Sequence, residues 1–208
     1  MRKQSVLEEK LNAITHAIGA LLGIVGLILL LLQNSHKTNW SLFSILVYGL
    51  SIIVLFTVST FYHATTSEDR KYTFRILDHI SIYFLIAGTY TPVLLIVLPN
   101  SLGWHLFWAV WGIAFFGGFL KIFFTGKFET ISVVLYLVMG WLILFDLSAL
   151  QEMMSFNGIV LLALGGLAYT GGIVFYAIEK IPYNHVIWHL FVLAGAMFHF
   201  FMVLLFVV

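Results

Sequence analysis

Two histidines four residues apart stand in an almost wholly apolar stretch, NHVIWHLFVLAGAMFHF, at residues 184 to 200. On a helix such residues share one face and lie one turn above the other, so His185 and His189 can bind the same divalent cation. A histidine from another segment would complete a set of three nitrogens that leaves a coordination position for water, and His63 is the candidate. The chain contains no cysteine. Any metal ion must therefore be bound through nitrogen and oxygen.

Two oxygen-bearing side chains accompany these histidines. Ser59 precedes His63 by four residues in STFYH, so its hydroxyl is expected on the same helical face. Asp78, in FRILDHIS, is the nearby carboxylate that is expected to lie within the membrane. A lone ionised carboxylate in hydrocarbon is costly, whereas one that faces a dication and its water is compensated. We therefore expect Asp78 and Ser59 beside the metal ligands.

The segments that carry these residues are those of a membrane protein, because 62% of the chain is hydrophobic, 9% is charged and the mean hydropathy is +1.05. A helix of about 20 apolar residues crosses roughly 30 Å of hydrocarbon. Helices and closed barrels alone can span a bilayer, and the apolar runs lack the alternation of barrel strands. The prediction is an all-α integral membrane protein, a seven-transmembrane helix bundle in a single domain, 1–208. The helices are expected at about 12–33, 41–63, 75–98, 103–124, 130–150, 157–179 and 183–207.

Basic residues predict the orientation of the bundle. Only Lys37 falls on one side, and nine fall on the other: Arg2, Lys3, Lys10, Arg70, Lys71, Arg75, Lys121, Lys127 and Lys180. This bias places the N-terminus in the cytoplasm and the C-terminus outside. The net charge is only +1, which does not indicate a large basic surface. Nucleic acid is therefore excluded as a partner.

With this orientation, the polar residues of four predicted helices reach the cytoplasmic leaflet together. They are Ser59 and His63 at the end of the second helix, Asp78 near the start of the third, His185 and His189 at the start of the seventh, and Glu9, Asn12 and His16 at the start of the first. We expect Glu9, Asn12 and His16 to support the site structurally.

Other polar residues are expected to have ordinary roles. His36, His79 and His105 are interpreted as interfacial or hydrogen-bonded side chains. His199 lies ten residues beyond His189, roughly 15 Å further across the membrane, and is predicted to form a hydrogen bond between helices. Asp146 is expected to be a water-facing or snorkelling carboxylate at the outer end of the fifth helix.

Three motifs together resemble the hemolysin III family, the bacterial branch of the progestin and adiponectin receptor proteins. They are EEKLNAITH in the first helix, STFYH followed by LDH in the second and third, and HVIWH in the seventh. The resemblance implies a bacterial plasma membrane protein with zinc near the cytoplasmic leaflet. The family's zinc ligands match His63, His185 and His189, and its aspartate, which contacts zinc-bound water, matches Asp78. It also implies a role in membrane lipid homeostasis and, through the animal receptors, ceramidase-like amidase chemistry.

Three hypotheses follow from these residues. The favoured one is a zinc-dependent intramembrane hydrolase for a lipid amide or ester, in which Asp78 accepts or orients the proton of water and Ser59 hydrogen-bonds the ligand shell or the developing oxyanion. The second is a membrane-state sensor or receptor with a structural zinc, and the third is a cytolytic pore. A pore lining needs a polar stripe across the membrane, and the charged groups stop at one leaflet.

A membrane lipid or fatty acyl ligand is the expected partner, and the oligomeric state is left open. Pro92 is predicted to kink the third helix, and a kink can open a gap toward lipid. The hypothesis is a lateral cavity that ends at His63, Asp78, His185 and His189 and holds an acyl chain.

Overall fold

The computed structural model describes residues 4–208, so Arg2 and Lys3 of the orientation argument lie outside the described residues. Within this range the chain forms helices and no strand, and seven helices are long and apolar enough to cross a membrane. The predicted all-α seven-helix bundle is thereby confirmed. The spans are α1 (Val6–Gln33), α2 (Ser41–Ala64), α3 (Glu68–Val97), α4 (Gly103–Phe124), α5 (Glu129–Met153), α6 (Phe156–Ala177) and α7 (Asn184–Val207).

Two helices begin earlier than the hydropathy indicates. A capping box starts α1, because the Ser5 side chain accepts a hydrogen bond from the Glu8 backbone and the Glu8 carboxylate accepts one from the Ser5 backbone. Glu68 and Asp69 lie in the first turn of α3. Their negative charges stabilise the helix by interacting with the positive end of its dipole. Hydropathy marks the part of a helix that lies in hydrocarbon and overlooks turns that extend into water.

The central element of the bundle is α3. In the most apolar 18-residue segment of α3, 78% of the residues are buried, whereas 17% are buried in the corresponding segment of α6. Helix α3 packs between α2 and α4, while α1 packs against α2 and α7, and α7 against α6. Residues on α3 therefore face the interior, whereas much of α5 and α6 faces lipid.

Three of the spans contain irregular turns, and the one in α7 is the π-helix Val203–Val207 at its end. Pro92 ends the α-helical part of α3, and the next five residues, Val93–Val97, form a π-helix. A 3-10 segment, Leu142–Asp146, interrupts α5, and the Tyr90 hydroxyl accepts a hydrogen bond from the Ile143 backbone there (3.0 Å). Proline removes a backbone donor and disturbs the α-helical pattern.

Asp146 is buried, so the expectation of a water-facing carboxylate is wrong. It accepts hydrogen bonds from Ser101 Oγ (2.7 Å) and from the Leu102 backbone N–H (3.0 Å). These bonds connect α5 to the turn that precedes α4. The carboxylate is compensated by fixed donors and does not need to reach water.

Candidate metal centre

The predicted site residues gather at one end of the bundle, where α1, α3, α5 and α7 begin and α2, α4 and α6 end; we call it the N-terminal face. The antiparallel arrangement of neighbouring helices brings the end of α2 to the start of α1, and His63 contacts Glu9 across 54 residues of sequence. The side of the membrane on which this face lies remains a prediction.

His63, His185 and His189 form one cluster. Their ring centroids are 5.1 Å apart for His63 and His185, 4.9 Å for His63 and His189, and 4.7 Å for His185 and His189. One ring nitrogen from each lies within 4.8 Å of the other two. His63 and His189 are buried and His185 is partly buried. Two adjacent turns of α7 and the last turn of α2 thus present a group that could hold a metal ion.

The free nitrogens of this cluster fit a bound cation. His63 Nε2 and His189 Nδ1 are buried and have no hydrogen-bond partner within residues 4–208. A buried polar atom without a partner is unfavourable, and a shared ion would satisfy both. Nitrogens bound tetrahedrally to one zinc ion at about 2.1 Å lie about 3.4 Å apart, so nitrogens within 4.8 Å of one another would have to approach by at most about 1.4 Å. Three imidazole nitrogens are a ligand set that suits zinc.

Glu9 fixes the orientation of the His63 ring. His63 Nδ1 donates a hydrogen bond to Glu9 Oε2 (2.7 Å), and Lys71 Nζ donates to Glu9 Oε1 (2.7 Å). A carboxylate on one ring nitrogen turns the other toward a metal and makes it a better ligand. Glu9 thus lies where a supporting residue is expected, and it joins α1 to α2 and α3.

His16 and Asn12 lie near the cluster on α1. The His16 ring stacks on His189 with centroids 3.5 Å apart and planes 10° from parallel, and it meets Phe56 edge to face at 4.9 Å. Asn12 is buried and donates through Nδ2 to Gln4 Oε1. His16 restricts the rotation of His189 by packing against its ring.

Asp78 and Ser59 lie beside the cluster and outside the three-histidine group. Both are buried. The Asp78 carboxylate is within electrostatic range of His63 and faces the Ser59 hydroxyl, although Ser59 Oγ completes no hydrogen bond to any described residue. The Ser59 hydroxyl therefore lies beside the Asp78 carboxylate without a completed hydrogen bond.

Sequence reasoning missed Glu8. Its Oε1 accepts a hydrogen bond from the Tyr183 backbone N–H (3.2 Å) across 175 residues of sequence. Tyr183 has a φ of 56° and immediately precedes α7, the helix that carries His185 and His189. Glu8 therefore holds the start of α7 against the start of α1. The capping box was the one local signal that Glu8 has a fixed position.

A second polar cluster, also missed, joins α3, α4 and α5 at the N-terminal face. Lys121 Nζ bonds Glu129 Oε2 at 2.6 Å, and Arg75 Nη2 lies 3.4 Å from Glu129 Oε1. Lys121 was counted only among the basic residues of the cytoplasmic side; it lies near the end of α4 and is buried. We call Arg75, His79, Lys121 and Glu129 the basic cluster.

An apolar cavity of about 170 Å³ lies between α3, α5, α6 and α7. Its lining includes Leu55, Ile82 and Trp188, which are one turn or less from Ser59, Asp78 and His189. None of His63, Asp78, His185 and His189 lines it, so the predicted cavity ending at these four residues differs from the one in the structure. The space for a chain stops about one helical turn short of the histidines.

His199 is explained by packing between helices. Its Nε2 donates to the Leu162 carbonyl (3.1 Å), which joins α7 to α6. The predicted helix-to-helix hydrogen bond is confirmed.

A bundle of seven apolar helices, with a possible metal site of three histidines from α2 and α7 at one end, defines a multi-pass integral membrane protein. The protein-family model described as Haemolysin-III related matches residues 4–200, and the chain belongs to that family. The predicted resemblance is therefore confirmed.

Relatives match almost the entire chain. It is 46% identical to Hemolysin-3 of Bacillus cereus over 205 residues, 98% of this chain and 94% of the relative. It is 43% identical to the Hemolysin-3 homolog of Bacillus subtilis (strain 168), covering 98% and 96% of the two chains. It is 31% identical to the monocyte to macrophage differentiation factor of Homo sapiens, covering 96% and 84%. A bacterial plasma membrane fits the relatives from Bacillus.

Proposed function

We propose that this protein is a zinc-dependent intramembrane hydrolase that cleaves an amide or ester bond of a membrane lipid at the cytoplasmic leaflet. The observation that carries the proposal is the group His63, His185 and His189 with buried Asp78 and Ser59 beside it. A bound zinc ion would act as a Lewis acid, polarising a lipid carbonyl and lowering the pKa of water toward about 7.

The side chains around the cluster supply the remaining functions of a hydrolase. Asp78 would hold a water molecule and accept its proton, because it is a buried carboxylate within electrostatic range of His63 and its described polar neighbour is the Ser59 hydroxyl. Ser59, whose hydroxyl completes no hydrogen bond, would donate to the oxygen of the lipid carbonyl when the substrate is bound. Glu9 holds His63 in one orientation throughout.

The apolar cavity supports a lipid as substrate. It comes within one turn of Ser59, Asp78 and His189 through Leu55, Ile82 and Trp188. An acyl chain in this cavity would bring its carbonyl end toward the histidines, at the depth where lipid carbonyls and water meet. Cleavage of such a lipid would link the protein to membrane lipid homeostasis.

The substitution Asp78→Asn tests the proposal. Asparagine keeps the size of the side chain but not its basicity, so the variant should retain its metal and lose turnover by about 10²-fold or more. Metal content is measured on purified protein, and turnover by untargeted lipid analysis of membranes that contain wild type, Asp78→Asn or neither. Identical lipid profiles for wild type and Asp78→Asn would contradict a hydrolase.

A membrane-state sensor with a structural metal is the second candidate, and the connectivity of the cluster favours it. The three histidines would tie α2 to α7 through the ion, while Glu8 and Glu9 tie α1 to the same two helices. A metal clamp predicts lower thermal stability without metal and no change in lipid composition with Asp78→Asn.

The relative from Bacillus cereus carries the name Hemolysin-3, which keeps a cytolytic pore as the third candidate. A pore needs a polar stripe from one membrane surface to the other. Along α2, the buried residues between Tyr48 and Ser59 include Ile52, Leu55 and Phe56. This apolar stretch interrupts any polar stripe along α2, the helix that carries His63.

A further inference from the structure

Arg75 lies one turn before Asp78 on α3, at the N-terminal face. Its Nε atom is buried and has no hydrogen-bond acceptor in the described part of the chain. Its Nη2 lies 3.4 Å from Glu129 Oε1, which is long for a charge-assisted hydrogen bond. A guanidinium with a buried N–H and no acceptor is incompletely satisfied.

The charge of Arg75 is also incompletely balanced within the basic cluster. Glu129 is the only carboxylate in this cluster, and Lys121 Nζ holds it at 2.6 Å. The Gly126 backbone N–H donates to Glu129 Oε1 as well (3.0 Å), and His79 Nδ1 is 3.8 Å from Oε2. Two permanent cations therefore share one carboxylate, and the more distant of them is Arg75.

Two tyrosines are common neighbours of Arg75 and of the residues around the metal cluster. Tyr62 and Tyr176 are each within electrostatic range of both Arg75 and Asp78. The Tyr62 ring is 4.5 Å from the His63 ring, and the Tyr176 ring is 6.1 Å from the His185 ring. The Arg75 side chain keeps 26% of its surface exposed. Arg75 is therefore partly accessible and shares two tyrosine neighbours with Asp78.

We propose that Arg75 binds an anionic group, a carboxylate or a phosphate, on the head group of the lipid substrate. The proposal rests on the hydrolase function proposed above. Three residues of helix separate Arg75 from Asp78 by about 4.5 Å along the axis, on the surface side. The planar guanidinium matches the oxygens of either anion. The substrate class is an acyl lipid whose amide or ester is separated by a short linker from an anionic group.

Binding to the Asp78→Asn protein tests this inference without requiring turnover. Three ligands share one amide and one acyl chain: N-dodecanoylglycine carries a carboxylate, N-dodecanoylethanolamine is neutral, and its O-phosphate carries a phosphate. We expect at least one anionic ligand to bind about tenfold more tightly than the neutral one, the size expected for a charge-assisted hydrogen bond. The tighter of the two anions identifies the head group.

Substitutions at Arg75 in the same background assign the preference. Arg75→Gln should remove the tenfold difference, Arg75→Lys should retain part of it, and Lys10→Gln, at an exposed cation on α1, should leave it unchanged. Equal affinities for all three ligands before any change at Arg75 would overturn the inference. A loss of affinity in Arg75→Gln that is equal for neutral and anionic ligands would also overturn it, because it would mean a structural ion pair only. Absence of lipid cleavage by wild type bears on the hydrolase and leaves these binding results intact.

Discussion

The Glu9 carboxylate is shared by His63 and Lys71, with 2.7 Å to each partner. One oxygen holds the histidine and the other is neutralised by the lysine. The carboxylate can therefore remain ionised although it is half-buried. Glu9 orients the ring of His63, a candidate metal ligand, and is not itself one of the three candidate ligands.

Replacing Glu9 with Gln should weaken metal binding while the protein still folds. Loss of a carboxylate that orients a metal-bound histidine typically reduces affinity about 10- to 100-fold. The affinity is measured by competition with a metal chelator on purified protein, and Lys10→Gln, the adjacent exposed position, serves as the control. Equal zinc affinity in wild type and Glu9→Gln would show that Glu9 does not position His63.

At this scale, local spacing predicted much of the site. The four-residue interval between His185 and His189 and the depth of His63 led to the cluster that the structure shows. Glu8 and Arg75 were not identified, because their partners are 175 and 54 residues away. The capping box was a local signal for Glu8, whereas no local pattern distinguishes Arg75 from other charged residues at a membrane surface.

Among the helices, α6 and α7 interlock through reciprocal contacts of a ring with a glycine. A Cβ atom on Gly165 would lie 2.2 Å from His199 Cδ2, and one on Gly195 would lie 2.9 Å from the Tyr169 ring. Each helix thus contributes one glycine and one ring, four residues apart. This packing sets the position of α7, and with it His185 and His189.

Gly165→Ala should lower the thermal stability of the protein, because the added methyl group overlaps the His199 ring. Overpacking of this kind costs about 1–3 kcal/mol. Gly166→Ala is the matched control, since its Cβ would meet only the Trp141 ring at 3.8 Å or more. Thermal unfolding of both variants in detergent decides the matter. Equal melting temperatures for the two alanine variants would contradict the interlocking of α6 and α7.

The seven elements themselves followed from hydropathy, but their irregularities did not. The π-helical turn after Pro92 and the 3-10 segment of α5 depend on tertiary contacts, such as the bond from the Ile143 backbone to Tyr90. The capping of α1 was present in the sequence as Ser5 and Glu8 and was overlooked because both residues are polar.

For the whole molecule, the orientation in the membrane is a prediction from charge alone. The chain has no cysteine, so a single introduced cysteine would be the one thiol of the chain that a reagent can label. A membrane-impermeant thiol reagent should label Ser35→Cys on intact cells and Lys127→Cys only after the inner face is exposed. Both positions are exposed in loops between helices. Labelling of Lys127→Cys on intact cells would reverse the orientation and move the site to the outer leaflet.

The proposed hydrolase requires a metal ion at His63, His185 and His189, and elemental analysis of purified protein tests this requirement most directly. Wild type should contain about one zinc ion per chain, since three histidines form a single site. His63→Ala, His185→Ala and His189→Ala should each lose most of it, because two remaining nitrogens bind zinc weakly. His199→Ala, on the same helix but bonded to Leu162, should retain the wild-type content. Unchanged zinc in all four variants, or none in wild type, would contradict the account.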